Sequence, residues 1–318
     1  MRKSVKKILI FILKITIVFF AFWYIWVKIK NFNLSDFSFP VFNFRSFLFI
    51  TIVIVLMPVN WLIESYKWKF LLKKIQIINL KLAFRAVLSG ISFALISPNR
   101  IGELAGRVFV LKNENREKAV FVTAAGSLSQ MMITMVFGSI AGILLLYFYP
   151  EKLTGINSQN LFFFKIISIS IIVFGFLVLF NFKYLVPVAE KLKVNVKFIQ
   201  YIKPLTVYSS KDIIIVLCLS LLRYVIFSVQ FVLLLYVFKT EITVAQAFIG
   251  IALTYFISSL IPVLTFLEIG IRGMAAVFFL GMFSTDIPGI LSATAVLWII
   301  NLAVPGTVGT YFFVRTKI

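Results

Sequence analysis

Apolar residues run in long unbroken blocks, near positions 8–27, 47–63, 82–97, 119–149, 161–180, 212–238, 244–261, 274–283 and 289–313. Several of these blocks approach or exceed the roughly 20 residues a helix needs to cross the hydrocarbon of a bilayer. The blocks are continuous rather than alternating, which predicts helices and not the period-two strands of a membrane barrel. Inside lipid, only helices or closed barrels satisfy their own backbone hydrogen bonds.

Basic residues punctuate the blocks. Lys67, Lys69, Lys73, Lys74 and Lys81 form one cluster, and Lys112, Arg116 and Lys118 a second. Lys183, Lys191, Lys193, Lys197, Lys203 and Lys211 form a third, and Arg315 and Lys317 close the sequence. Basic loops stay on the cytoplasmic side, so each cluster is expected there, together with both termini. Residues 82–111 then leave and return on the same side, with Ser97-Pro98-Asn99-Arg100 in the middle. Two full spans would need about 40 apolar residues, so a broken, re-entrant hairpin is the economical solution. Its non-helical tip is tolerated only where protein buries it or water reaches it. Residues 244–283 must also return, from the opposite side, with a break at Ile261-Pro262; at about 40 residues this segment also has the length for two tilted or full spans. Glu64, with Lys67 and Lys69 at the end of the second span, reads as an interfacial anchor.

The expected fold is therefore all-α: a polytopic integral membrane protein with about six full spans and two broken, re-entrant helical hairpins. Residues 1–318 form one transmembrane domain, with half 1 at about 1–149 and half 2 at about 161–318. Each half reads span, span, broken hairpin, span, and the halves start on opposite sides. That is the plan of an inverted repeat, which in transporters sets the substrate site between the halves near the midplane. An ordinary helical bundle kinked at its prolines fits the same pattern. The segment 183–211, with Pro187 and Pro204, reads as a basic surface helix lying on anionic lipid.

Composition closes other routes. The chain is 61% hydrophobic and only 14% charged, whereas a soluble domain carries roughly a quarter charged residues. The net charge of +21 would suggest nucleic acid in a soluble protein; here the positive-inside bias and anionic headgroups explain it, so no nucleic-acid partner is expected. There is no histidine, and Cys218 is the single cysteine. That excludes an internal disulfide, histidine bases, Ser-His-Asp triads and thiolate or histidine metal sites. Met1-Arg2-Lys3-Ser4-Val5-Lys6-Lys7 precedes an apolar run ending in Trp23-Tyr24-Ile25-Trp26. This is too long for a signal peptide and reads as a retained first span with its N-terminus inside.

Charges within the membrane are the informative residues, because each costs about 2.5–3.5 kcal/mol on insertion scales. They gather at the two breaks. In Ser97-Pro98-Asn99-Arg100-Ile101-Gly102-Glu103-Leu104-Ala105-Gly106-Arg107, helical spacing after Pro98 sets Arg100 and Arg107 on either side of Glu103. One carboxylate facing two guanidiniums leaves a positive charge suited to an anion, since guanidinium matches phosphate at two points. In Pro262-Val263-Leu264-Thr265-Phe266-Leu267-Glu268-Ile269-Gly270-Ile271-Arg272-Gly273, Glu268 and Arg272 are again four apart, and Gly270 and Gly273 permit close approach. The candidate substrate-binding residues are therefore Arg100, Gly102, Glu103, Arg107, Glu268, Gly270 and Arg272. A purely structural role, with each pair tying down its hairpin, is the plainer alternative. Arg223, inside the sixth block, either joins a cavity or pairs with a backbone carbonyl. Asn301 and Pro305-Gly306 are positioned to bend the last span.

The run from Ser97 to Arg107 resembles the P-x-R-x-G-E signature of the lysylphosphatidylglycerol synthase transmembrane, flippase-like family. Pro262 to Gly273 resembles that family's second signature, and Glu64-Ser65-Tyr66-Lys67-Trp68-Lys69 is also similar. The second run departs from the family pattern in that Gly273 follows Arg272 and the acid comes earlier, at Glu268. The resemblance implies movement of anionic or zwitterionic phospholipids, aminoacylated ones among them, across the bacterial cytoplasmic membrane. The chain ends at Ile318, so the soluble synthase domain of larger members, and with it enzymatic activity, is expected to be absent. No cofactor is expected, and with no G-x-x-x-x-G-K-[ST] in the sequence, transport would be passive or ion-coupled. The alternative is a non-transporting accessory subunit of a membrane lipid-modifying or glycosyl transferase.

Overall fold

The structure, a computed structural model, describes residues 16, 23–27, 30, 43–97, 101–109, 111, 113–153, 158–192, 195–261 and 267–315. Most of the expected first span, and the two break tips with Pro98, Asn99, Arg100 and Pro262, lie outside the described residues. Within them the chain is helical, and no strand occurs. Helix α1 covers Phe44–Leu72, α2 Leu80–Ile96, α3 Ile101–Val108 and α4 Asn113–Phe148. Helix α5 covers Ser158–Phe180, and the short α6 and α7 cover Leu185–Lys191 and Val196–Ile202. Helix α8 is Ser210–Val237, α9 Val244–Leu260, α10 Glu268–Leu280, α11 Ile287–Trp298 and α12 Val304–Arg315.

Four described stretches are long and apolar enough to cross a membrane: Phe44–Leu72, Glu114–Phe148, Ser210–Val237 and Ile287–Arg315. Their starts are set locally. Asn43 accepts the Ser46 N–H at 2.8 Å to open α1, and a capping box of Ser209 with Asp212 opens α8. The last span joins α11 to α12 through a π-helical turn at Ile299–Ala303. Pro305 has no N–H to give the Asn301 carbonyl, and the chain widens by one residue just before it.

The exterior is apolar. On α1, Phe44 is 82% exposed, and Phe47, Ile54 and Val55 are also exposed. Asn60, Glu64, Ser65 and Lys67 of the same helix are buried. A soluble helix would invert this arrangement; here lipid solvates the outside and the polar groups satisfy one another inside.

Two helical hairpins are present. Gly102 lies against Phe93 and Gly106 against Gly90, at 2.8 Å from its Cα to where a Gly106 Cβ would sit, so α3 runs back antiparallel along α2. At 1.5 Å per residue, the eight residues of α3 reach about 12 Å, well short of the ~30 Å hydrocarbon. Helix α10 returns along α9 in the same way, with Gly250 against Leu280 and Arg272 over the Tyr255 ring. The packing partners are exchanged. The long limb α2 lies antiparallel on α12, where Ser92 Oγ donates to Gly306 O at 2.6 Å and Gly309 abuts Leu88. The long limb α9 lies antiparallel on α4, through Gly138 against Phe256 and Leu145 with Ile249.

Loop ends also pair. The Tyr208 hydroxyl donates to the Leu71 carbonyl, Asn115 Nδ2 donates to Gln76 Oε1 at 3.3 Å, and Lys74 is 3.9 Å from Asp212. Arg85 lies over the Phe312 ring. Residues 71–76, 85, 115, 208–212 and 312 thus share one end of the molecule. Tyr149 with Phe283, and Phe49 with Tyr236, mark the other end.

Candidate functional site

Helix α1 carries its polar residues on one stripe: Asn60, Glu64, Lys67 and, one step round, Trp61 and Trp68. The stripe faces α8, which runs antiparallel and presents Ser220, Arg223 and Gln230. Three links follow this seam. Gln230 Nε2 donates to Val53 O at 2.8 Å, Arg223 Nε to Asn60 Oδ1 at 2.9 Å, and Lys67 Nζ to Ser220 Oγ at 3.3 Å.

Glu64 is the hub. Its Oε2 accepts from Lys67 Nζ at 2.8 Å and from Arg223 Nη1, and its Oε1 accepts from Arg107 Nη1 at 2.6 Å. Arg107 comes from the short limb α3 and uses its other terminal nitrogen on Glu103. One carboxylate therefore joins α1, the first hairpin and α8. Lys67 also donates to the Gly126 carbonyl of α4 at 3.4 Å. Arg223 reaches Gln130 Oε1 of α4 at 3.4 Å and sits over the Trp61 ring at 5.1 Å from its centroid. At the second hairpin Arg272 donates to Glu268 and lies over Tyr255, whose hydroxyl donates to the Phe227 carbonyl at 3.1 Å.

These groups surround one cavity of about 580 Å³. Glu64, Lys67 and Arg223 line it at the centre, Glu103 from the first hairpin, and Glu268 and Arg272 from the second. Trp61, Tyr224, Phe227 and Tyr255 supply aromatic wall. The Nε1 of Trp61, a residue only 1% exposed, has no hydrogen-bond partner within the described structure. Counting Arg107 behind the wall, Lys67, Arg107, Arg223 and Arg272 stand against Glu64, Glu103 and Glu268. Four cations thus face three carboxylates among the described residues. That residual charge, walled by apolar side chains, suits an anion.

Of the sequence candidates, Glu103, Glu268 and Arg272 come together on the cavity wall, although 165 positions separate Glu103 from Glu268 in the numbering. Arg107 pairs with Glu103 as the spacing required, and it is buried at 2% exposure and claimed by Glu64 as well. Gly102 is a packing residue: its N–H donates to Ser97 Oγ at 2.8 Å and its open face meets the Phe93 backbone. Gly270 is buried in α10, and neither glycine is among the cavity-lining residues. Arg100 lies outside the described residues.

One sequence expectation is corrected. Glu64 and Lys67 are not an interfacial anchor: their side chains are 4% and 1% exposed and form the centre of the site. The signal was in the sequence as Asn60, Glu64 and Lys67 on one stripe of an otherwise apolar helix, but a carboxylate near a basic loop also fits an anchor, and only the opposing Arg223 separates the two. Arg223 lines the cavity and pairs there with Glu64.

A family model described as lysylphosphatidylglycerol synthase TM region matches residues 11–309. Among curated proteins, none matches the chain.

Proposed function

Because the chain belongs to the lysylphosphatidylglycerol synthase transmembrane family, we propose that it is a flippase-like transporter of lipids with phosphate headgroups in the bacterial cytoplasmic membrane. The observation that carries this reading is a headgroup-sized cavity to which both hairpins bring ion pairs. In this reading the lipid phosphate meets Arg272 and Arg223; Arg100, the remaining candidate cation, lies outside the described residues. Glu64, Glu103, Arg107 and Glu268 hold those cations in place. The exchanged packing of α2 on α12 and α9 on α4 is what an inverted repeat produces, and it supports two re-entrant hairpins working against each other about a fixed midplane site. The end bearing Lys73, Lys74, Lys81, Arg116, Lys203 and Lys211 is the cytoplasmic one by its charge.

The test is leaflet exchange of a headgroup-labelled phospholipid in proteoliposomes, read by dithionite quenching. Wild type should exchange the lipid well above protein-free vesicles, and Arg272→Lys should exchange it more slowly, because an ammonium lacks the planar two-point contact. Equal rates for wild type and empty vesicles would remove the transporter reading and leave the accessory subunit of a membrane transferase.

A further inference from the structure

We propose that the cavity carries a hydroxyl-binding subsite beside its phosphate-binding groups. It thereby selects a phosphodiester headgroup bearing hydroxyls, of the phosphoglycerol or sugar-phosphate kind, over one bearing an ammonium. The inference rests on the headgroup reading above and narrows it to one substrate class.

The cavity has an uncharged polar wall that the phosphate leaves free. Ser127, Gln130 and Thr134 line it from α4, and their spacing sets them on one face of that helix. Ser258 and Ser259 line it from the end of α9. Polar side chains between membrane helices commonly act as glue, bonding from one helix to the next. These hydroxyls do not. Ser127 Oγ donates to Thr123 O at 3.3 Å and Thr134 Oγ1 to Gln130 O at 3.2 Å. Ser258 Oγ donates to Thr254 O at 2.6 Å and Ser259 Oγ to Phe256 O at 2.7 Å. Each bond runs back along the residue's own helix. A hydroxyl oxygen that has given its proton away still accepts, so this wall presents acceptors. Ser127 is exposed and Thr134 and Ser258 are half-buried, so they stay within reach of a ligand. Gln130 ties the wall to the cations: its Nε2 donates to Ser220 O at 3.2 Å, and its Oε1 accepts from Arg223 at 3.4 Å.

The second observation is a donor. Trp61 is 1% exposed and lines the same cavity, yet its Nε1–H has no acceptor within the described structure. A buried donor left unpaired is costly, and an indole N–H can only donate. Arg223 lies over the Trp61 ring and reaches Gln130, which brings this donor and the acceptor wall within the span of one headgroup. A hydroxyl both donates and accepts, so it satisfies the two together. An ammonium donates only and leaves Trp61 unpaired. The aromatic rings on which an ammonium would rest instead are already in use. Arg223 sits 5.1 Å from the Trp61 centroid and 5.7 Å from that of Phe227, and Arg272 sits 5.7 Å from that of Tyr255. Tyr224 stacks on Phe137 at 4.6 Å.

The test is calorimetric binding of dioctanoyl lipids to the purified full chain in detergent. Phosphatidylglycerol and phosphatidylpropanol carry the same charge and nearly the same bulk, and differ in the headgroup hydroxyls. A pair of ordinary hydrogen bonds is worth about tenfold in affinity, so wild type should bind phosphatidylglycerol about tenfold more tightly. Phosphatidylethanolamine should bind no better than phosphatidylpropanol. Ser127→Ala combined with Thr134→Val should lower the affinity for phosphatidylglycerol to that for phosphatidylpropanol. Phosphatidylpropanol itself should bind that variant as it binds wild type, which also reports that the variant is folded. Trp61→Phe should remove part of the same preference. Equal wild-type affinities for phosphatidylglycerol and phosphatidylpropanol overturn the subsite and leave the headgroup reading standing. Phosphatidylethanolamine binding as tightly as phosphatidylglycerol does the same. A full preference that survives in both variants also overturns the subsite. Deacylated glycerophosphoglycerol binding as tightly as the lipid supports the subsite and overturns the lipid as its source. Absence of wild-type binding to every probe overturns both readings. The wild-type comparisons decide the matter alone if a variant does not fold.

Discussion

Glu64 accepts from Lys67, Arg107 and Arg223 at once. Removing one partner of a buried ion pair costs about 3–5 kcal/mol because the charge left behind has no compensation. Glu64→Gln should therefore lower the unfolding temperature in detergent more than any other single change at the site. Glu103→Gln should cost clearly less, since Arg107 keeps Glu64. Equal losses for the two variants would remove Glu64 from its central place. Glu268 and Arg272 are each 14% exposed and pair mainly with each other, so Glu268→Gln should leave the melting curve close to wild type. If the pair serves the substrate, lipid exchange by that variant should nevertheless fall several-fold. Unchanged exchange beside a lowered melting temperature would mark the pair as a structural tie.

The hairpins owe their closeness to small residues. An added Cβ at Gly106 would lie 2.8 Å from the Gly90 Cα, a backbone atom that cannot step aside without moving α2. Gly106→Ala should destabilise the fold by about 1–3 kcal/mol, the usual range for overpacking. Gly126→Ala is the control, because the atom it meets at 2.8 Å is a terminal methyl of Leu71, which can rotate. Similar thermal shifts for both would mean that α2 and α3 slide apart freely. The π turn before Pro305 belongs to the same scale. It offsets Gly306 and Gly309 so that both face α2, where Ser92 and Leu88 meet them.

For the whole molecule, the paired ends make the topology testable with few probes. In a Cys218→Ser background, single cysteines at Asn115 and Lys203 should be protected from an impermeant thiol reagent in intact cells and label after permeabilisation. A cysteine at Glu241, in the connection between α8 and α9, should label directly. Labelling of the Asn115 position from outside would break the shared-side placement of the basic clusters and the hairpin topology with it.

The amino-acid sequence by itself determined the class of fold and most of its helices. Lipid demands a continuous apolar run wherever a helix crosses, so 47–63, 119–149, 212–238 and 289–313 announced α1, α4, α8 and the last span. Charge parity led us to expect a return within 82–111 and again within 244–283, and within those stretches α3 packs antiparallel along α2 and α10 along α9. The pairs Arg107 with Glu103 and Arg272 with Glu268 were legible because four residues make one helical turn. Which charges meet across helices was decided only by the tertiary structure. Glu64 is separated from Arg223 by 159 positions, and no periodicity within one helix reports which stripe of another it will face. The packing of α2 on α12 and of α9 on α4 was hidden for the same reason. It depends on Gly306, Gly309 and Gly138 admitting Leu88, Leu95 and Phe256, a matter of shape that becomes visible only when both surfaces are in contact.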